Sequence, residues 1–157
     1  MKTLSEYSRL AESLVADFIK RIDRDPHNLY APIIYALESG GKRLRPVLAL
    51  AVADALGSDN ADDAALAIEI FHNFTLLHDD IMDRSSTRRG RPTVYKKWDE
   101  ATAILSGDTM LTLATQTLNS LVDGHRGAVE LGHERFCRAG RSGVEGLRGE
   151  CQHCVTR

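Results

Sequence analysis

Phe74-Thr75-Leu76-Leu77-His78-Asp79-Asp80-Ile81-Met82-Asp83 runs from an apolar stretch directly into three aspartates. If these residues are helical, Asp79 and Asp83 stand at i and i+4, so their carboxylates project from one face. Carboxylates at a helix C-terminus oppose the macrodipole and are poorly placed for stability. Placed beside an apolar run, they lie at the rim of a core. An oxygen-rich pair of this kind suits a hard divalent cation such as Mg²⁺, which commonly bridges one or two carboxylates to substrate phosphates. A solvated acidic helix end is the other reading of these residues taken alone.

Working outward, the helix that ends near Asp83 begins at Asp62 and Asp63, with Asn60 as a plausible cap. Leu4, Tyr7, Ala11, Leu14, Phe18 and Ile22 follow the three-and-four spacing of an amphipathic helix. Asp25-Pro26 interrupts it. A short apolar helix over 29–37 stops at Ser39-Gly40-Gly41, and another over 45–56 stops at Gly57. Ser85 to Arg91 reads as a polar, arginine-rich loop. Pro92 opens a short helix through Trp98, and Asp99 caps a helix reaching about Leu121. No segment alternates with period two, so the expected fold is all-α. The helices at 45–56 and 64–83, apolar on most faces, are expected at the centre of the bundle.

The totals bound the rest. A chain of 157 residues, 43% hydrophobic and 27% charged, suits one globular domain. A net charge of −2 gives no broad attraction to nucleic acid. The start, Met1-Lys2-Thr3-Leu4-Ser5-Glu6, has no signal-peptide pattern, and no stretch is long enough to span a bilayer. The chain is therefore expected in the cytoplasm. Composition shifts after Asp123: residues 124–157 hold 7 of the 12 glycines and all 3 cysteines, but no lysine or aspartate. Two expectations stand for this segment, a disordered tail or an out-of-frame reading. Cys137, Cys151 and Cys154 are read as incidental rather than as a zinc site, whose paired spacing they lack.

Basic residues flank the acids. Arg88 and Arg89 follow Asp83 in a glycine-containing loop. Gly40-Gly41-Lys42-Arg43-Leu44-Arg45-Pro46 opens an earlier helix. Glycine lets backbone approach an anion, and Lys and Arg bind phosphate. His72 lies two turns before Asp79 on nearly the same face. Acids that need metal and bases that need phosphate together suggest two diphosphates, one metal-bound and one held by bases.

Four motifs in order and in register carry a resemblance: Gly40 to Pro46, Glu69-Ile70-Phe71-His72, Asp79 to Asp83, and Arg88-Arg89-Gly90-Arg91-Pro92-Thr93, with Ser106-Gly107-Asp108 further on. They resemble the trans-type (E) polyprenyl diphosphate synthases over residues 1–122. The resemblance implies an isoprenoid-synthase-like helical bundle, present here as roughly its first half, with 1–123 as the N-terminal part and 124–157 as an atypical tail. It implies a transferase that condenses isopentenyl diphosphate with an allylic diphosphate. Asp79, Asp80 and Asp83 would be catalytic, with Asp79 and Asp83 as Mg²⁺ ligands. Arg88 would contact the allylic diphosphate, and Lys42, Arg45, His72 and Arg89 would hold isopentenyl diphosphate. A short, geranylgeranyl-type product is implied, its length set by Phe71, Phe74 and Thr75. The family's homodimer is implied as well. Members carry a second aspartate-rich motif that is missing from this sequence, so the chain alone is expected to be inactive. A non-catalytic, synthase-like partner subunit is the alternative expectation.

Overall fold

The structure, a computed structural model, describes residues 2–22, 26–58 and 61–120. Six α-helices and one small hairpin are found among them: α1 (Leu4–Ile22), α2 (His27–Glu38), α3 (Leu44–Ala55), α4 (Asp62–Met82), β1 (Thr87–Arg88), β2 (Arg91–Pro92), α5 (Val94–Lys97) and α6 (Glu100–Ser120). The all-α expectation therefore holds. The expected Asn60 cap, and the tail at 124–157 with its cysteines, lie outside the described residues.

The periodicity of α1 translates into burial of Tyr7, Ala11, Val15, Phe18 and Ile22 along one face. Leu4, expected on that stripe, is exposed. The N-terminus of α6 forms as its sequence suggests: the Asp99 carboxylate accepts the Thr102 backbone N–H at 2.8 Å, satisfying one of the orphan donors of the first turn.

The long acidic-ended helix α4 occupies the centre and touches every other described helix, with its most extensive contact to α6. Ile33, Leu37, Leu66, Ile70 and Met110 are almost completely buried around it. Each such side chain contributes about 1.5–3 kcal/mol by leaving water. A second cluster joins Tyr7 and Ala11 of α1, Val47 and Leu50 of α3, and Ala65 of α4. Of the two helices expected centrally, α3 instead flanks α4. It packs on α1 and α4 and leaves Leu44, Leu48 and Val52 exposed one turn apart.

Close approach of α4 and α6 depends on Gly107. A β-carbon at that position would run into the imidazole of His78. That imidazole also lies edge-on to Phe74, 4.8 Å between ring centroids. The motif Ser106-Gly107-Asp108 thus has a packing role: Ser106 and Gly107 are buried at the seam that carries the acidic end of α4.

Candidate functional site

At the end of α4 the three aspartates divide by face. Asp79 and Asp83 are exposed, and the Asp83 N–H donates to the Asp79 carbonyl at 2.8 Å, so the helical turn between them is intact. Asp80, about 100° round the helix, is 5% exposed. Its carboxylate accepts from Nε of Arg88 at 2.9 and 3.0 Å and pairs with Nη2 at 2.9 Å. This fork raises the Arg88 pKa above the ordinary arginine value, and the Asp79 and Asp83 charges add to it.

Arg88 and Arg89 reach their places through the hairpin that sequence periodicity did not reveal. Thr87 pairs with Pro92 and Arg88 with Arg91, leaving Arg89-Gly90 as a two-residue turn. Both turn residues have positive φ, 52° and 75°. That is the requirement of a type I′ turn, with glycine at the second position. For Arg89 the left-handed backbone costs about 1–3 kcal/mol, a strain of the kind that collects at ligand sites. The hairpin is fastened by Thr93, whose hydroxyl donates to the Ser85 carbonyl at 2.8 Å, and by Tyr35, whose hydroxyl donates to the Pro92 carbonyl at 2.9 Å. The Tyr35 ring also sits against Arg91 at 4.0 Å and Lys97 at 3.8 Å. One small element therefore sends Arg88 to the acids and Arg89 the other way.

Arg89 joins a separate cleft of about 180 Å³ lined by Lys42, Arg43, Leu44, Arg45, Glu69, His72 and Arg89. All four bases singled out for isopentenyl diphosphate thus meet in one concavity, drawn from the α2–α3 loop, α3, α4 and the hairpin. Four cationic side chains there face one carboxylate. Gly41 matters to this closure, because a β-carbon on it would stand 2.8 Å from Nη1 of Arg89. Burial first, then the Arg45 charge, draws His72 below the ordinary histidine pKa. Burial and the Arg43 charge likewise draw Arg89 below the usual arginine value. Both shifts describe a site with surplus positive charge.

The three residues suggested for chain length lie on α4 between these features. Phe71 is 47% exposed and meets Phe74 edge-on at 5.5 Å. Phe74 packs on the main core, and the Thr75 hydroxyl donates to the His72 carbonyl at 2.8 Å. Sequence reading missed Arg43 and Glu69, which line the cleft from its buried side.

Comparison with known proteins agrees with this arrangement. The sequence model of the family described as polyprenyl synthetase matches residues 26–143. A geranylgeranyl diphosphate synthase of Methanosarcina mazei is 49% identical over 98 residues, 61% of this chain and 30% of that protein. A farnesyl diphosphate synthase of Geobacillus stearothermophilus is 42% identical over 124 residues, 76% of this chain and 41% of its own. Among solved structures, geranylgeranyl pyrophosphate synthetase of Geoglobus acetivorans superposes with a TM-score of 0.71 at 41% identity, covering 76% of this chain and 39% of that one. The chain spans less than half the length of each of these relatives.

Proposed function

Because the chain belongs to the polyprenyl synthetase family, we propose that it supplies the diphosphate-binding wall of a prenyltransferase joining isopentenyl diphosphate to an allylic diphosphate. The observation that carries this reading is the convergence of Lys42, Arg45, His72 and Arg89 on one cleft, beside a hairpin whose other arginine reaches the acidic end of α4.

In this reading Asp79 and Asp83 hold Mg²⁺. The donor set fits: two exposed carboxylates one turn apart match the preference of Mg²⁺ for one or two carboxylates shared with phosphate oxygens and water. Among the described residues no group of three or more His, Cys, Asp or Glu converges to hold a metal. The two carboxylates therefore rely on the substrate to complete the shell. The ion supplies charge neutralisation for the allylic diphosphate as it departs. Asp80 keeps Arg88 turned toward that diphosphate. The cleft bases orient isopentenyl diphosphate, so that its double bond faces the allylic carbon. Phe71, Phe74 and Thr75 line the path of the growing chain and favour a geranylgeranyl-type product. The 157-residue polypeptide, with one carboxylate face, turns over slowly if at all by itself. The complete enzyme works as a homodimer in the cytoplasm.

His72 provides a test of the cleft. Its pKa is depressed in the free protein, so near pH 6.5, about the ordinary histidine value, the imidazole is mostly neutral. A bound diphosphate adds negative charge and favours the protonated form, so binding draws a proton into the site. Isothermal titration with isopentenyl diphosphate, repeated in buffers of different ionisation enthalpy, should show proton uptake near pH 6.5 that fades by about pH 8.5. His72→Gln should lose that increment. Equal uptake in the variant would reject the placement of this ligand beside His72.

A further inference from the structure

Arg43 stands between two residues assigned to the cleft yet behaves differently from both. Lys42 and Arg45 are exposed, whereas Arg43 is 8% exposed. It caps α3 in a left-handed conformation, φ 45°, that an L-residue seldom adopts. Its Nη1 donates to Oε1 of Glu69 at 2.5 Å, and its Nη2 donates to the Leu37 carbonyl at 2.6 Å. Asn73 completes the group, donating to the same Glu69 oxygen at 3.1 Å and to the Glu69 carbonyl at 2.8 Å. Glu69 and Asn73 are 3% and 2% exposed. One guanidinium therefore ties the last turns of α2, the first turn of α3 and the middle of α4.

Stability alone gives a weak reason for such a pair. Replacing a buried ion pair with apolar residues often leaves a protein equally stable or more so. A buried, strained, fully engaged arginine directly behind a basic cleft instead does a job of placement. We infer that Arg43 is a positioning residue: its pairing with Glu69 fixes the start of α3, and so holds Lys42 and Arg45 where a diphosphate meets them. This rests on reading the cleft as a diphosphate site. Arg43 does not itself grip the ligand, because its fork is already committed to Glu69 and Leu37.

The test titrates the 157-residue chain with inorganic pyrophosphate in Mg²⁺-free buffer and follows thermal unfolding alongside. Arg43→Met combined with Glu69→Leu is expected to melt no lower than the parent, yet bind pyrophosphate about tenfold more weakly, since an ångström of misplacement costs up to about 10²-fold at a site that depends on geometry. Arg43→Lys, which keeps the charge and loses the fork, should weaken binding in the same direction, and it decides the matter if the apolar pair does not fold. Arg45→Ala should weaken the parent strongly but add little in either Arg43 background, because the two residues act through one arrangement. A uniform loss of stability would not produce that coupling. Parent-like affinity in the Arg43 variants, or strictly additive losses, would overturn the inference while leaving the cleft assignment standing. A parent chain that fails to bind pyrophosphate, or binds it regardless of Lys42→Ala and Arg45→Ala, would overturn the cleft assignment and this inference with it.

Discussion

Asp79→Ala and Asp83→Ala are each expected to weaken Mg²⁺-dependent binding of an allylic diphosphate about 10²-fold or more, without lowering the melting temperature. The size follows from their role: losing even an outer partner of a metal ligand costs roughly 10–100-fold, and these are proposed as the ligands themselves. The unchanged or raised stability follows from their surroundings. Both carboxylates are exposed, in the last turn of α4 and at its C-cap, where negative charge meets the negative end of the helix dipole. Removing either charge relieves about 0.3–1 kcal/mol of unfavourable field. Paired calorimetric titrations with and without Mg²⁺, run beside thermal melts, separate the two effects. A variant that loses stability in step with affinity would point to a structural role, and one that keeps its Mg²⁺ response would remove that aspartate from the site.

Asp80 and Arg88 should behave in the opposite way, with a large cost in stability. Breaking a buried ion pair by deleting one partner costs about 3–5 kcal/mol when the survivor stays buried. Here the survivors differ. The Arg88 side chain is 33% exposed and the Asp80 side chain 6%. Asp80→Ala leaves an arginine that swings into water, so its cost falls to about 2 kcal/mol after allowance for solvent screening. Arg88→Ala leaves a carboxylate trapped against the core and should cost about 3 kcal/mol or more. Urea denaturation curves with unchanged slope would give this ordering directly. Equal, negligible shifts in both variants would mean that the pair contributes nothing to holding the hairpin.

The difference between neighbouring aspartates marks where sequence reading reached and where it ended. Helical spacing alone placed Asp79 and Asp83 on one face and Asp80 off it, because a period of 3.6 is a property of the backbone. The same logic found α1, α4 and α6 to within a residue or two. It failed at Thr87–Pro92, since two-residue strands are too short to express a period of two, and the hairpin is specified by the paired positive φ values of Arg89 and Gly90. It also failed at Arg43. Its motif reads as a run of bases, and nothing in the residue types says that the middle one turns inward. That outcome depends on a left-handed cap and on Glu69 waiting 26 positions later on another helix. Glu69 itself carried a signal, a lone acid in the largely apolar middle of α4. The central position given to α3 failed for a related reason, because Leu44, Leu48 and Val52 form an apolar stripe that no described helix covers.

The central claim is that the acidic end of α4 and the basic cleft are two separate diphosphate sites, one dependent on metal and the other not. Counting inorganic pyrophosphate bound per chain, by calorimetry with and without Mg²⁺, tests it most directly. One site is expected without Mg²⁺, lost on Arg45→Ala. A second is expected when Mg²⁺ is added, lost on Asp79→Ala or Asp83→Ala while the first remains. A single site indifferent to Mg²⁺, or a Mg²⁺-dependent site that survives both aspartate substitutions, would contradict the account.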